Sequence, residues 1–211
     1  MADLALYATI VVSIFAIVDP VGALPFFVAL TDGWTEDDRR VVMRRSVIVL
    51  ASVLSLFALL GRFLFAVFGF TLGAFEIAGG ILLFMVAWDM LQGEVTRTKI
   101  NPQDREEAVA RRDEIAVVPL GIPLLAGPGA ISTVMIYEGS ASGDPWTVVA
   151  TFVAILVTAV TTFVVLRLGQ PILRSMGRTG VMAMTRVLGL ILAALGVQFV
   201  LNGVAAVAPH L

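Results

Sequence analysis

The chain has no cysteine and a single histidine, His210, next to its C-terminus. The first absence excludes disulfides, thiol redox relays, and cysteine-held metal or iron–sulfur centres. The second leaves the body of the chain without an imidazole to act as general base or metal ligand. Charge is also scarce: Asp, Glu, Lys and Arg make up 14% of 211 residues, against 59% hydrophobic residues and a mean hydropathy of +0.97. So apolar a chain cannot present a soluble surface, and a membrane protein in contact with a lipid bilayer is expected. The net charge of −2 supplies no basic footprint for nucleic acid. HExxH, GxSxG, phosphate-loop and Ser/His/Asp patterns are all missing, so no enzyme, no cofactor and no metal are expected.

Long apolar runs are what the chain does have. A bilayer core takes about 20 apolar residues of helix, and six segments meet or approach that length: about 4–31, 44–66, 70–92, 115–138, 146–168 and 184–207. The second and third are separated by no charge, and their turn is inferred from Gly69 and Gly73. The first run carries Asp3 and no basic n-region, so it reads as a retained span. Arg39, Arg40, Arg44 and Arg45 follow the first span, Arg97, Lys99, Arg105, Arg111 and Arg112 the third, and Arg167, Arg174 and Arg178 the fifth. The positive-inside rule therefore predicts both termini outside the cytoplasm. Residues 94–114 form a charged cytoplasmic linker between residues 1–93 and 115–211, within one membrane domain.

The two flanking segments are alike. EIAGGILLFMVAWDMLQG from Glu76 and RVLGLILAALGVQFVLNG from Arg186 match at an offset of 110, pairing Gly79 with Gly189, Ile81 with Ile191, Leu82 with Leu192, Leu91 with Leu201 and Gly93 with Gly203. At the other end of the unit Pro20 matches Pro128 at an offset of 108. Two inverted three-helix repeats are the reading, because a unit with an odd number of spans re-enters the membrane the other way up.

The first spans of the two units hold residues that helices avoid. DPVGALP at 19–25 puts Asp19, Pro20, Gly22 and Pro25 into an apolar run, and PLGIPLLAGPGAI at 119–131 holds Pro119, Pro123, Gly127, Pro128 and Gly129. Proline removes a backbone donor and clashes with the preceding turn. Breaks are predicted at Asp19–Gly22 and Gly127–Gly129, with Pro25 in the first turn of a new half-helix. Lipid cannot satisfy freed backbone groups, so both breaks should face a cavity inside the protein. A half-helix starting near Ala130 would aim amide donors at an anion, with Ser132 and Thr133 adding hydroxyls. Asp19 would bind an ammonium group, carry a coupling proton, or cap the broken helix. Together these poles suit the two ends of an amino acid. Elsewhere, Arg62 and Glu76 are expected to form an ion pair across the Gly69–Gly73 turn.

With DPVGALPFF, VPLGIPLLAGPGAI and TRVLGLILAALGVQFVLNG in place, the sequence resembles the MarC family of bacterial and archaeal inner-membrane proteins over essentially its whole length. The resemblance implies a grouping with LysE-type exporters, and its Asp-Pro branch is similar to SnatA neutral amino acid transporters. A secondary transporter of small neutral amino acids, coupled to a proton or sodium ion and able to form oligomers, is what it implies. The contrasting expectation is a non-transporting membrane scaffold whose Pro/Gly clusters serve only packing.

Overall fold

A computed structural model describes residues 2–31, 34–92, 114–140, 144–175 and 177–207, and all the regular structure among them is helical. The elements are α1 (Ala2–Val18), α2 (Pro20–Leu30), α3 (Glu36–Phe68), α4 (Leu72–Gln92), α5 (Ala116–Leu125, π-type), α6 (Pro128–Ser140), α7 (Pro145–Arg174) and α8 (Gly177–Val207). Five helical stretches are long and apolar enough to cross a membrane, and α5 with α6 makes a sixth if that bent pair is one span. The linker at 94–114 falls outside the described residues except for Glu114.

Local signals set the ends of the helices. Thr35 caps α3 by accepting from the Asp38 amide at 3.2 Å, and Glu36, Asp37 and Asp38 place negative charge on its first turn. Gly69 ends α3 at φ 68, a left-handed conformation that costs glycine nothing. Thr71 then caps α4 through the Ala74 amide at 3.2 Å. The turn is thus Gly69–Thr71, and Gly73, expected within it, lies inside α4. Apolar side chains on α3, α7 and α8, among them Leu59, Phe63, Leu156, Leu168 and Leu190, point out of the protein, as side chains facing lipid do.

Glycine decides how α4 and α8 meet. A Cβ on Gly80 would come 2.5 Å from the Gly196 carbonyl, and one on Gly196 would come 2.7 Å from that of Gly80. Gly73 and Gly203 stand in the same relation, and Gly189 closes on the Ala87 carbonyl at 3.2 Å. Each step of seven along α4 is matched by a step of seven back along α8, so the helices run antiparallel with backbone against backbone. Small residues at such spacing are how membrane helices approach closely without a hydrophobic drive. Around this pair, one buried cluster joins Ile10 and Ile14 of α1 to Leu50 and Leu54 of α3, Ile131 and Val134 of α6, and Ala154 and Ile155 of α7. A second joins Phe26 of α2 to Leu83 and Met90 of α4 and Leu192 of α8.

Candidate binding cavity

Asp19 stands alone between α1 and α2 with φ 44, the one non-glycine residue at positive φ among those described. Its geometry closes both helices. The Asp19 amide donates to the Phe15 carbonyl at 3.1 Å, its own carbonyl accepts from the Ala23 amide at 3.0 Å, and its carboxylate accepts from the Gly22 amide at 3.0 Å. The interruption is therefore one residue wide, and Leu4–Val28 runs on as a single span. Pro20 fills the first position of α2, where a missing amide hydrogen matters least. Pro25, expected in that first turn, lies in the interior of α2. Gly22 is required locally, since a Cβ there would strike the Asp19 carboxylate.

The second cluster is more disordered in its backbone geometry. Val118 (φ −131, ψ 125) and Ile122 (φ −134, ψ 128) are extended inside α5, and each precedes a proline, Pro119 and Pro123, whose ring drives its predecessor out of the helical region. The chain then bends by 59° between α5 and α6. Irregular backbone thus begins at Val118, well before the Gly127–Gly129 break that the sequence predicts. Gly127 precedes α6 and its carbonyl accepts from the Ile131 amide at 3.0 Å. The amides of Gly129 and Ala130 lie in the first turn of α6, where no helical carbonyl reaches them.

These two places share a cavity of about 330 Å³. Asp19 at the α1–α2 junction and Gly22 of α2 line it, as do Pro123 of α5, Gly127 between α5 and α6, and Gly129 and Ala130 of α6. Its remaining walls are apolar: Phe26, Leu83 of α4, and Leu188, Leu192, Leu195 and Phe199 of α8. Close approach at position 129 makes the junction, for a Cβ there would meet Ile17 of α1 and Phe199 of α8, each at 3.3 Å. The Tyr137 hydroxyl donates to Ser13 at 3.0 Å and ties α6 to α1 further along.

Other residues singled out in the sequence lie outside the lining. Pro20 and Pro25 sit in α2, while Pro128 packs its ring against Gly79 of α4. Ser132 and Thr133 donate to the Pro128 and Gly129 carbonyls at 2.7 and 2.8 Å, so their protons serve the helix and not a ligand. Arg62 and Glu76 form no ion pair; Arg62 instead lines a smaller cavity with Glu138. The α8 wall was not anticipated. In a helix apolar on every side, the face that meets a cavity carries no contrast in hydrophobicity to give it away.

The MarC family integral membrane proteins match residues 4–208 of the chain. The chain belongs to the MarC family. Similar relatives include a UPF0056 membrane protein of Pyrococcus abyssi, 39% identical over 198 residues, covering 94% of each chain. Another, from Methanocaldococcus jannaschii, is 41% identical over 194 residues, covering 91% of this chain and 92% of its own. The UPF0056 membrane protein YhcE of Escherichia coli is 34% identical over 209 residues, covering 99% and 96%. These names give a membrane protein and no activity. No solved structure matches the chain. As a MarC family member, the chain is an integral multi-pass membrane protein.

Proposed function

We propose that this MarC protein is a secondary transporter that exports or exchanges small neutral amino acids across the cytoplasmic membrane. The observation that carries the reading is the shared cavity: the Asp19 carboxylate on one wall and the free amides at the start of α6 on another. An ammonium group suits the first, and a carboxylate suits the second, where donors and the positive end of the helix dipole coincide. The apolar walls from α2, α4 and α8 suit a small hydrocarbon side chain and leave little to satisfy a polar one. A membrane-embedded carboxylate is costly unless paired or solvated, which favours a functional place for Asp19. Two inverted three-helix units, with both termini outside the cytoplasm, supply the alternating access, and a proton or sodium ion supplies the coupling.

Purified protein in liposomes preloaded with alanine is expected to take up labelled alanine or glycine by exchange, with saturation. Asp19→Asn should lower the rate at least tenfold. Absence of any saturable exchange, for these or other small amino acids, would refute the proposal. It would leave a membrane scaffold, in which substitutions at Asp19 and Gly129 act on stability alone.

A further inference from the structure

A second cavity, of about 180 Å³, lies where α3 and α6 approach their C-terminal ends. Its lining combines Arg62 with Glu138, together with Phe57, Ala58, Leu59 and Met135. Two opposite charges share one small space and form no ion pair with each other. On the Glu138 carboxylate, Oε1 is buried and has no hydrogen-bond partner. Thr151 adjoins the same carboxylate, but its hydroxyl donates to the Thr147 carbonyl at 3.0 Å, and one proton cannot serve both. Arg62 is exposed and likewise carries no acceptor among the described residues. The cavity therefore presents a buried acceptor and a forked cationic donor, with apolar carbon between them.

The geometry points to a second binding site for a small zwitterion, its ammonium on Glu138 and its carboxylate on Arg62. An ammonium offers three donors to the unmet carboxylate oxygen, and a guanidinium takes a carboxylate in two parallel bonds. A space of this size holds on the order of six waters, taking ~30 Å³ for each, which is room for glycine or alanine and not for a large amino acid. Gly61 keeps the space narrow, since a Cβ there would come 2.8 Å from Met135. Position links the two cavities. The first turn of α6 lines the central one at Gly129 and Ala130, and the other is reached at Glu138 of the same helix. At a rise of 1.5 Å per residue the separation is about 12 Å. The same zwitterion would thus have two resting places along one helix. The identity of the ligand rests on the function proposed above, whereas the location of the site does not.

Equilibrium binding of labelled alanine to protein in lipid nanodiscs separates the two. The expected result is two sites in the unsubstituted chain and one in Asp19→Asn. The remaining site should weaken at least tenfold on adding Glu138→Gln or, independently, Arg62→Gln. Arg62 is exposed, so its variant gives a reading even if substitution at Glu138 disturbs folding. Methylamine and acetate, each with one charge, should compete far less well than glycine. A single site lost in Asp19→Asn and untouched by both other variants overturns the second site and leaves the central one standing. Binding that survives in Asp19→Asn but disappears in Glu138→Gln and Arg62→Gln supports the second site and overturns the central reading. No binding to the unsubstituted chain overturns both.

Discussion

Asp19 holds two jobs that substitution can pull apart. Its backbone and carboxylate close the ends of α1 and α2, and the residue lines the cavity. Asparagine keeps the first job, because it also tolerates positive φ and its amide oxygen accepts from an N-terminal helix amide. Asp19→Asn is therefore expected to fold with unchanged thermal stability while losing exchange, whereas Asp19→Ala should also lose about 1 kcal/mol of capping, read by thermal unfolding in detergent. Gly22→Ala should impair exchange while keeping the charge of Asp19, since its methyl group displaces the carboxylate from the Gly22 amide. Full exchange by Gly22→Ala would show that the position of the carboxylate is immaterial. Outside the membrane, Asp144 caps α7. The Thr147 hydroxyl at 2.8 Å, and then the Trp146 amide at 3.1 Å, hold its carboxyl below the usual range. A lowered pKa in the folded state means that the cap is stabilising above the ordinary carboxyl range and is lost as pH falls through the lowered value. Amide exchange at Trp146 and Thr147 should accelerate on acidification, and should be slow and flat with pH in Asp144→Asn once intrinsic rates are divided out.

At the scale of the element, glycine is informative and apolar side chains are not. Gly80 and Gly196 read as packing glycines because lipid gives no hydrophobic reward for association, so close backbone contact must supply it. Their partnering could not be read from one helix at a time, since register is a property of the pair. Gly80→Leu forces bulk between two backbones and should cost roughly 1–3 kcal/mol or more, measured as a fall in the thermal transition. Leu190 of the partner helix α8 points outward, and Leu190→Ala should change it little. The helical class and the places of the apolar spans were legible from hydropathy, whereas α3 starts at Glu36 and not near 44, because Thr35 and the acidic first turn carry the helix past the apolar run. Asp19 and the Gly127–Gly129 segment were legible as cavity residues because each violates helix preference in an apolar run. The wall from α8 and the cavity that Arg62 shares with Glu138 were not, for both arise from tertiary contact between segments far apart in sequence. Pro25 misled for a related reason: Asp19 already starts the helix at Pro20, so the later proline is carried inside it.

At the scale of the whole molecule, the two proposed halves meet most closely where α4 runs against α8. Motion that separated those helices would expose glycine backbone to lipid along their length, so any alternating access has to leave that pair intact. Because the chain has no cysteine, engineered pairs are read without background. Cysteines at Ile17 and Leu195, both on the cavity lining, should arrest exchange when joined by a short bifunctional reagent. Exchange that continues across that link would mean that the cavity is not the path.

The glycine seam has one more consequence, for inheritance. A residue at Gly73, Gly80, Gly196 or Gly203 cannot gain even one carbon without moving the opposing backbone. A larger residue on one helix is not relieved by a smaller one on the other, because glycine is already the smallest. Paired compensation, the usual escape for a packed interface, is closed at these four places. Drift in the amino acids that line the cavity leaves this packing untouched, while the seam must be passed on unchanged or lost altogether.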